Sequence, residues 1–114
     1  MPRHDPRTCL RQMRDHAAEA LEAVRGRRRS DLDDDRILSL ALARLVEIVG
    51  EAAARVTPEE RGRFPALPWA EVVGMRNRLV HGYDQVDLDV LWQVVAEDFA
   101  PLVEELDRIL TREG

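Results

Sequence analysis

Lysine is missing from this chain of 114 residues: all 17 basic side chains are arginine. Base composition of the gene can produce that choice by itself, so it excludes no function. There is one cysteine, Cys9, which rules out an internal disulfide and agrees with a reducing compartment. No apolar run approaches the ~18–20 residues that span a bilayer. The stretch Met1 to Arg14 is polar and holds no signal-peptide apolar region. A cytoplasmic protein with no membrane partner is therefore expected. The chain also lacks internal repeats, low-complexity tracts and any period-2 stretch long enough to read as a strand.

The remaining content is helical and charged. The net charge is −5 and is spread unevenly. Residues 1–31 carry +3 and residues 32–114 carry −8. An acidic whole excludes a binder that coats nucleic acid with a broad basic face, though it leaves room for a small basic cleft. The length fits a single domain, residues 1–114, burying roughly 65% of its unfolded surface. One core of that size leaves little space for a deep private cavity, so a site shared across an oligomer interface is expected.

Apolar spacing and capping residues predict four main helices. The first opens at Asp5-Pro6, an N-cap followed by proline at the first helical position. Its stripe is Leu10, Met13, Ala17, Leu21 and Val24, and Gly26 stops it. The second starts between Ser30 and Asp34, where acids favour the positive end of the helix dipole, and runs to about Val56. Leu38, Leu42, Leu45, Val49 and Ala52 form one face. Ile37, Ala41 and Ile48 widen it, which predicts burial on more than one side. Thr57-Pro58-Glu59-Glu60 reads as a capping box opening a short helical turn. The third helix spans about Trp69 to His81 or Gly82. Asp84 to Asp87 reads as a turn, with Asp87 capping a fourth helix that Pro101 should kink. Short links between four helices predict an all-α, mostly antiparallel bundle.

The third helix carries the chemistry. On a wheel of ~100° per residue, Val72, Met75 and Leu79 form one apolar strip, and Val73 and Val80 form another. Arg76 falls between them, an unusual place for a cation that is costly to bury unpaired. Ala70, Gly74, Asn77 and His81 form a facet of small residues until the last turn, which predicts close approach by another helix. Arg76 and His81 lie ~140° apart on a regular helix. They can meet if the last turn unwinds near Gly82, or across a two-fold axis between two copies; the second arrangement predicts a composite cleft in a homodimer.

The segment Arg76-Asn77-Arg78-Leu79-Val80-His81-Gly82-Tyr83 reads Arg, four residues, His, one residue, Tyr. With Gly50-Glu51-Ala52, Pro68-Trp69, Gly74-Met75 and a final helix containing Pro101, it resembles the HepT-like toxins, a branch of the HEPN (higher eukaryotes and prokaryotes nucleotide-binding) domains. The resemblance covers nearly the whole chain. It implies a metal-independent endoribonuclease, without cofactor, that acts as the toxin of a toxin–antitoxin pair. It also implies a minimal nucleotidyltransferase antitoxin that neutralises the toxin by transferring AMP to a tyrosine. Carried onto this sequence, Arg76 and His81 are the catalytic pair, Asn77 is their polar companion, and Tyr83 is the modified residue.

Elementary chemistry agrees with that assignment. RNA supplies its own nucleophile, the 2′-hydroxyl, beside the scissile phosphate. A histidine with a reference pKa of ~6.5 suits proton transfer. An arginine fork suits two phosphate oxygens. The expected products are a 2′,3′-cyclic phosphate and a 5′-hydroxyl.

Each residue also has a plainer reading. Arg76 can pair with Glu47 or Glu51. His81 can cap the helix C-terminus beside Gly82, with Asn77 holding that cap. Tyr83, Trp69 and Trp92 can be core aromatics. The Arg25 to Arg29 cluster reads as a solvated loop or as a guide for RNA, and Asp31 to Asp35 reads as helix capping. Cys9 is read as inert, and His4 and His16 have no second ligand pair for zinc. Taken together, the plainer readings describe a non-catalytic helical interaction or nucleotide-binding module that partners a nucleotidyltransferase.

Overall fold

The computed structural model describes residues 5–79 and 85–113. Those residues form helices α1 (Pro6–Ala23), α2 (Asp31–Asp34), α3 (Arg36–Ala54), α4 (Pro58–Arg61), α5 (Trp69–Leu79), α6 (Leu88–Gln93) and α7 (Phe99–Glu113). A π-helical stretch, Val94–Asp98, joins α6 to α7, so the three run as one long element. Among the described residues there is no strand, as the apolar spacing predicts.

Helix ends follow the capping chemistry. The Asp5 carboxylate accepts from Arg7 N–H at 3.0 Å, with Pro6 at the first position. Gly26 takes φ +72°, a left-handed conformation that glycine adopts without a Cβ clash, and it ends the turn after α1. The capping box at α4 is complete: Thr57 Oγ1 accepts from Glu60 N–H at 3.1 Å, and Glu60 Oε1 accepts from Thr57 N–H at 3.0 Å.

The expected second helix is in fact two. The run Asp31–Asp34 makes a single turn, Asp35 leaves helical geometry with φ −117° and ψ 91°, and its carboxylate caps α3 at Leu38 N–H. Asp35 favours a cap over a helix interior because its short carboxylate competes for backbone donors. Ser39 Oγ closes the corner by donating to Leu32 C=O at 2.7 Å.

Helix α1 packs against α3 and α7, and α3 packs against α5. The core gathers Leu10, Met13 and Ala17 of α1 with Leu42, Val46, Val49 and Ala53 of α3. Val72, Met75 and Leu79 of α5 join Leu91, Phe99, Leu106 and Ile109 of the last element. No polar or charged side chain is buried among the described residues. Helices α3 and α5 meet closely because Gly50 has no side chain. A Cβ there would lie 3.4 Å from Val72 C=O and 3.9 Å from Val73 C=O.

The expected kink at Pro101 takes the form of the π-helical stretch. Proline cannot donate to the carbonyl four residues earlier, and its ring clashes there. The widened turn, closed by Phe99 N–H on Val94 C=O, relieves that clash upstream. The added residue shifts the helical phase so that Val94 and Val95 are both buried.

Candidate active site

Helix α5 is the segment on which the arginine–histidine spacing begins. Its buried face is the single strip Val72, Met75 and Leu79. Of the second apolar strip expected on this helix, Val73 is half-buried at the edge of the core, and Val80 lies outside the described residues. Arg76 and Asn77 are exposed. The arginine is therefore on the surface and not within an apolar face. The facet of small residues is also open, since a Cβ on Gly74 would meet nothing within 4 Å. Close helix approach comes from Gly50 on the other side of α5.

Among the described residues Arg76 forms no ion pair or hydrogen bond. The two acids that could have held it are taken. Arg44 Nη1 lies 3.2 Å from Glu47 Oε2 and 3.3 Å from Glu51 Oε1, a pairing along α3 itself. Arg78 turns the other way, toward Asp98 of the π-helical stretch at 3.7 Å. Of the two arginines of the motif segment, Arg78 is thus held by a carboxylate and Arg76 is left without one among the described residues. His81 and Tyr83 lie outside the described residues.

The backbone flanking that segment is pinned. Asp87 N–H donates to Leu79 C=O at 2.7 Å, so residue 87 returns to the C-terminus of α5. Asp87 then caps α6 through Asp89 N–H at 3.0 Å and Val90 N–H at 3.1 Å. From the far side, Arg29 Nε donates to Asp89 Oδ1 at 2.6 Å, and its Nη1 lies 3.2 Å from Asp33. The hydrogen bond to Asp89, with further pairing to Asp33, raises the Arg29 pKa above its already high ordinary value. Sequence reading missed this clasp because its partners are 60 residues apart. It missed the Asp98 contact for a similar reason.

The other candidates fall to structural duties. Arg25 pairs with Glu22 and Arg27 with Asp35, so most of the Arg25 to Arg29 cluster is neutralised locally. Asp31 accepts from Arg28 N–H at 2.7 Å and Asp35 caps α3, as expected of capping acids. Trp69 Nε1–H donates to Phe64 C=O at 3.0 Å, and the Arg61 guanidinium sits 5.7 Å above its ring. That fixes Trp69 as a packing residue. Trp92 packs half-buried against the core. Burial pushes the Cys9 thiol pKa up, which disfavours the reactive thiolate. No helix is long and apolar enough to cross a membrane among the described residues.

The pattern of the ribonuclease HepT-like family matches residues 13–109. The chain belongs to the HepT-like ribonuclease family. Curated relatives agree along nearly their whole lengths. A chain of Methanocaldococcus jannaschii named as a candidate RNase is 30% identical over 107 residues, covering 94% of this chain and 98% of the relative. Another candidate RNase, from Caldanaerobacter subterraneus subsp. tengcongensis, is 31% identical and covers 95% and 96%. A protein of Thermococcus cleftensis, named as a candidate ribonuclease HepT, is 33% identical and covers 81% and 87%. No solved structure matches the chain. Membership in this family carries a ribonuclease function and RNA as the substrate class.

Proposed function

We propose that this chain is a metal-independent endoribonuclease toxin whose catalytic pair is Arg76 and His81. The observation that carries the proposal is the position of Arg76. It is exposed on α5, with Glu47 and Glu51 already held by Arg44, so a phosphate meets a guanidinium without a competing carboxylate among the described residues. The fork binds two phosphate oxygens and stabilises the charge that builds on phosphorus as the 2′-hydroxyl attacks. His81 takes the 2′-hydroxyl proton. The attacking oxygen bonds to phosphorus as the bond to the 5′-oxygen breaks, and the leaving oxygen gains a proton. The products are a 2′,3′-cyclic phosphate and a 5′-hydroxyl.

The wheel angle between Arg76 and His81 favours a shared cleft in a homodimer, with Arg76 of one copy working beside His81 of the other. Asn77, exposed one residue on from Arg76, supports the substrate backbone. A nucleotidyltransferase antitoxin silences the site by placing AMP on Tyr83, two residues beyond the histidine. The bulk and negative charge of that group would keep an RNA phosphate away.

The test is RNA cleavage in EDTA by the wild type, Arg76→Ala and His81→Ala. Cleavage by the wild type alone, ending in a cyclic phosphate, is expected. Equal behaviour of all three contradicts the proposal and leaves a non-catalytic helical module. For the modification, intact mass after co-expression with the nucleotidyltransferase rises by whole AMP units, and Tyr83→Phe abolishes the rise. A rise that persists in that variant places the AMP elsewhere.

A further inference from the structure

Within the cluster Arg25 to Arg29, Arg25 and Arg27 pair with Glu22 and Asp35, close by in sequence, whereas Arg29 reaches 60 residues along the chain. Its Nη1 is closed off from solvent and has no hydrogen-bond partner among the described residues. What holds that nitrogen is the charge of Asp33, 3.2 Å away on α2. A guanidinium partly shut off from water is costly to leave without a carboxylate, so the side chain stays where its acids are. From there its Nε donates to Asp89 Oδ1 on α6 at 2.6 Å.

This clasp closes a circuit that runs past Arg76. Ser39 Oγ ties α2 to α3 by donating to Leu32 C=O at 2.7 Å. Helix α3 meets α5, the helix of Arg76, closely at Gly50. Leu79, three residues beyond Arg76, accepts from Asp87 N–H at 2.7 Å, and Asp87 caps α6. Asp89, in the first turn of α6, brings the circuit back to Arg29. His81 lies between Leu79 and Asp87 in the sequence, so both ends of its stretch of chain belong to the circuit.

We infer that Arg29 is a positioning residue for RNA cleavage: by holding α6 through Asp89, it fixes where the chain that carries His81 returns to the helix that carries Arg76. It touches neither RNA nor the reacting atoms. Asp33 and Asp89 occupy its guanidinium, which leaves it poorly placed to bind a phosphate. Position matters because a misplacement of about 1 Å costs roughly a hundredfold in rate. The inference rests on the ribonuclease reading; the clasp itself does not.

Steady-state RNA cleavage in EDTA by the whole chain tests it. Arg29→Gln and Asp89→Asn are each expected to lower kcat about tenfold or more, with KM within about twofold of the wild type. The double variant is expected to be no slower than the slower single one, because both break the same contact. Arg29→Lys keeps the charge but loses the fork, and is expected to fall between. Arg25→Gln removes the same charge from the same cluster and is expected to leave both constants unchanged. By hydrogen exchange, the Asp87 amide is expected to exchange about tenfold faster in both clasp variants, at unchanged helical content by circular dichroism. Asp89 is exposed, so its variant tests the clasp even where loss of Arg29 unsettles α2. A loss carried by KM, or an equal loss in Arg25→Gln, makes Arg29 an RNA contact and overturns the inference. An Asp89→Asn variant as fast as the wild type overturns it too, as does unchanged protection of the Asp87 amide. A wild type that cleaves no RNA removes the ribonuclease reading and this inference with it, whereas a wild type that cleaves beside equally active clasp variants overturns this inference alone.

Discussion

The two halves of α3 resemble each other in composition and differ in fate. From Leu42 to Ala53 most of its apolar residues meet α1 and α5, with Leu42, Val46 and Val49 at 0% exposure and only Leu45 and Ile48 half-buried. From Arg36 to Ala41 the same helix leaves Ile37 and Leu40 in solvent. Propensity does not distinguish them, since both halves are rich in leucine, isoleucine and alanine. The difference is what lies opposite. The C-terminal half has Gly50, which lets α5 approach to backbone contact, while the N-terminal half has only the single turn of α2 and a groove beside it. Burial is a property of the neighbour as much as of the residue.

That comparison can be broken at its strongest point first. Leu42→Ala, in the covered half, is expected to cost about 2–5 kcal/mol in urea unfolding, through lost transfer energy and the cavity left behind. Gly50→Val is next. Its branched side chain must displace the Val72 and Val73 carbonyls, so a loss of about 1–3 kcal/mol is expected, with α5 protons exchanging faster by hydrogen exchange. Thr57→Ala removes one side of the α4 capping box and should cost about 1 kcal/mol in the same unfolding assay. Ile37→Ala, in the open half, is expected to change stability by less than about 0.5 kcal/mol in dilute solution. An Ile37 effect as large as that of Leu42 would erase the difference between the halves.

Much of this fold could be read from local chemistry. Asp5-Pro6, Gly26, the Thr57 box and Asp87 each mark an end with a side chain or a conformation that acts within a few residues, and each is found in that role. What could not be read depends on distant partners. The wide apolar stripe around Ile37, Ala41 and Ile48 predicts burial on several sides, yet Ile37 and Ala41 stay exposed among the described residues and Ile48 is only half-buried. The break at Asp35 hides inside a run of acids that suits a helix start at any of several positions. For the site, the spacing of Arg76 and His81 is visible in sequence, but the freedom of Arg76 is not. In the structure Arg44 pairs with Glu47 and Glu51, the acids that the sequence offers to Arg76, and Asp98 pairs with Arg78. The Arg29–Asp89 clasp at the start of α6 has no sequence signal at all.

A mixing experiment bears most directly on the composite cleft. Arg76→Ala and His81→Ala are purified separately, unfolded together and refolded as a mixture, and RNA cleavage is measured in EDTA. If each site takes its arginine from one copy and its histidine from the other, mixed dimers hold one intact site, and roughly a quarter of wild-type activity returns from two inactive proteins. If the mixture stays as inactive as its parents while mixed dimers are shown to form, the arginine and histidine do not act across the axis.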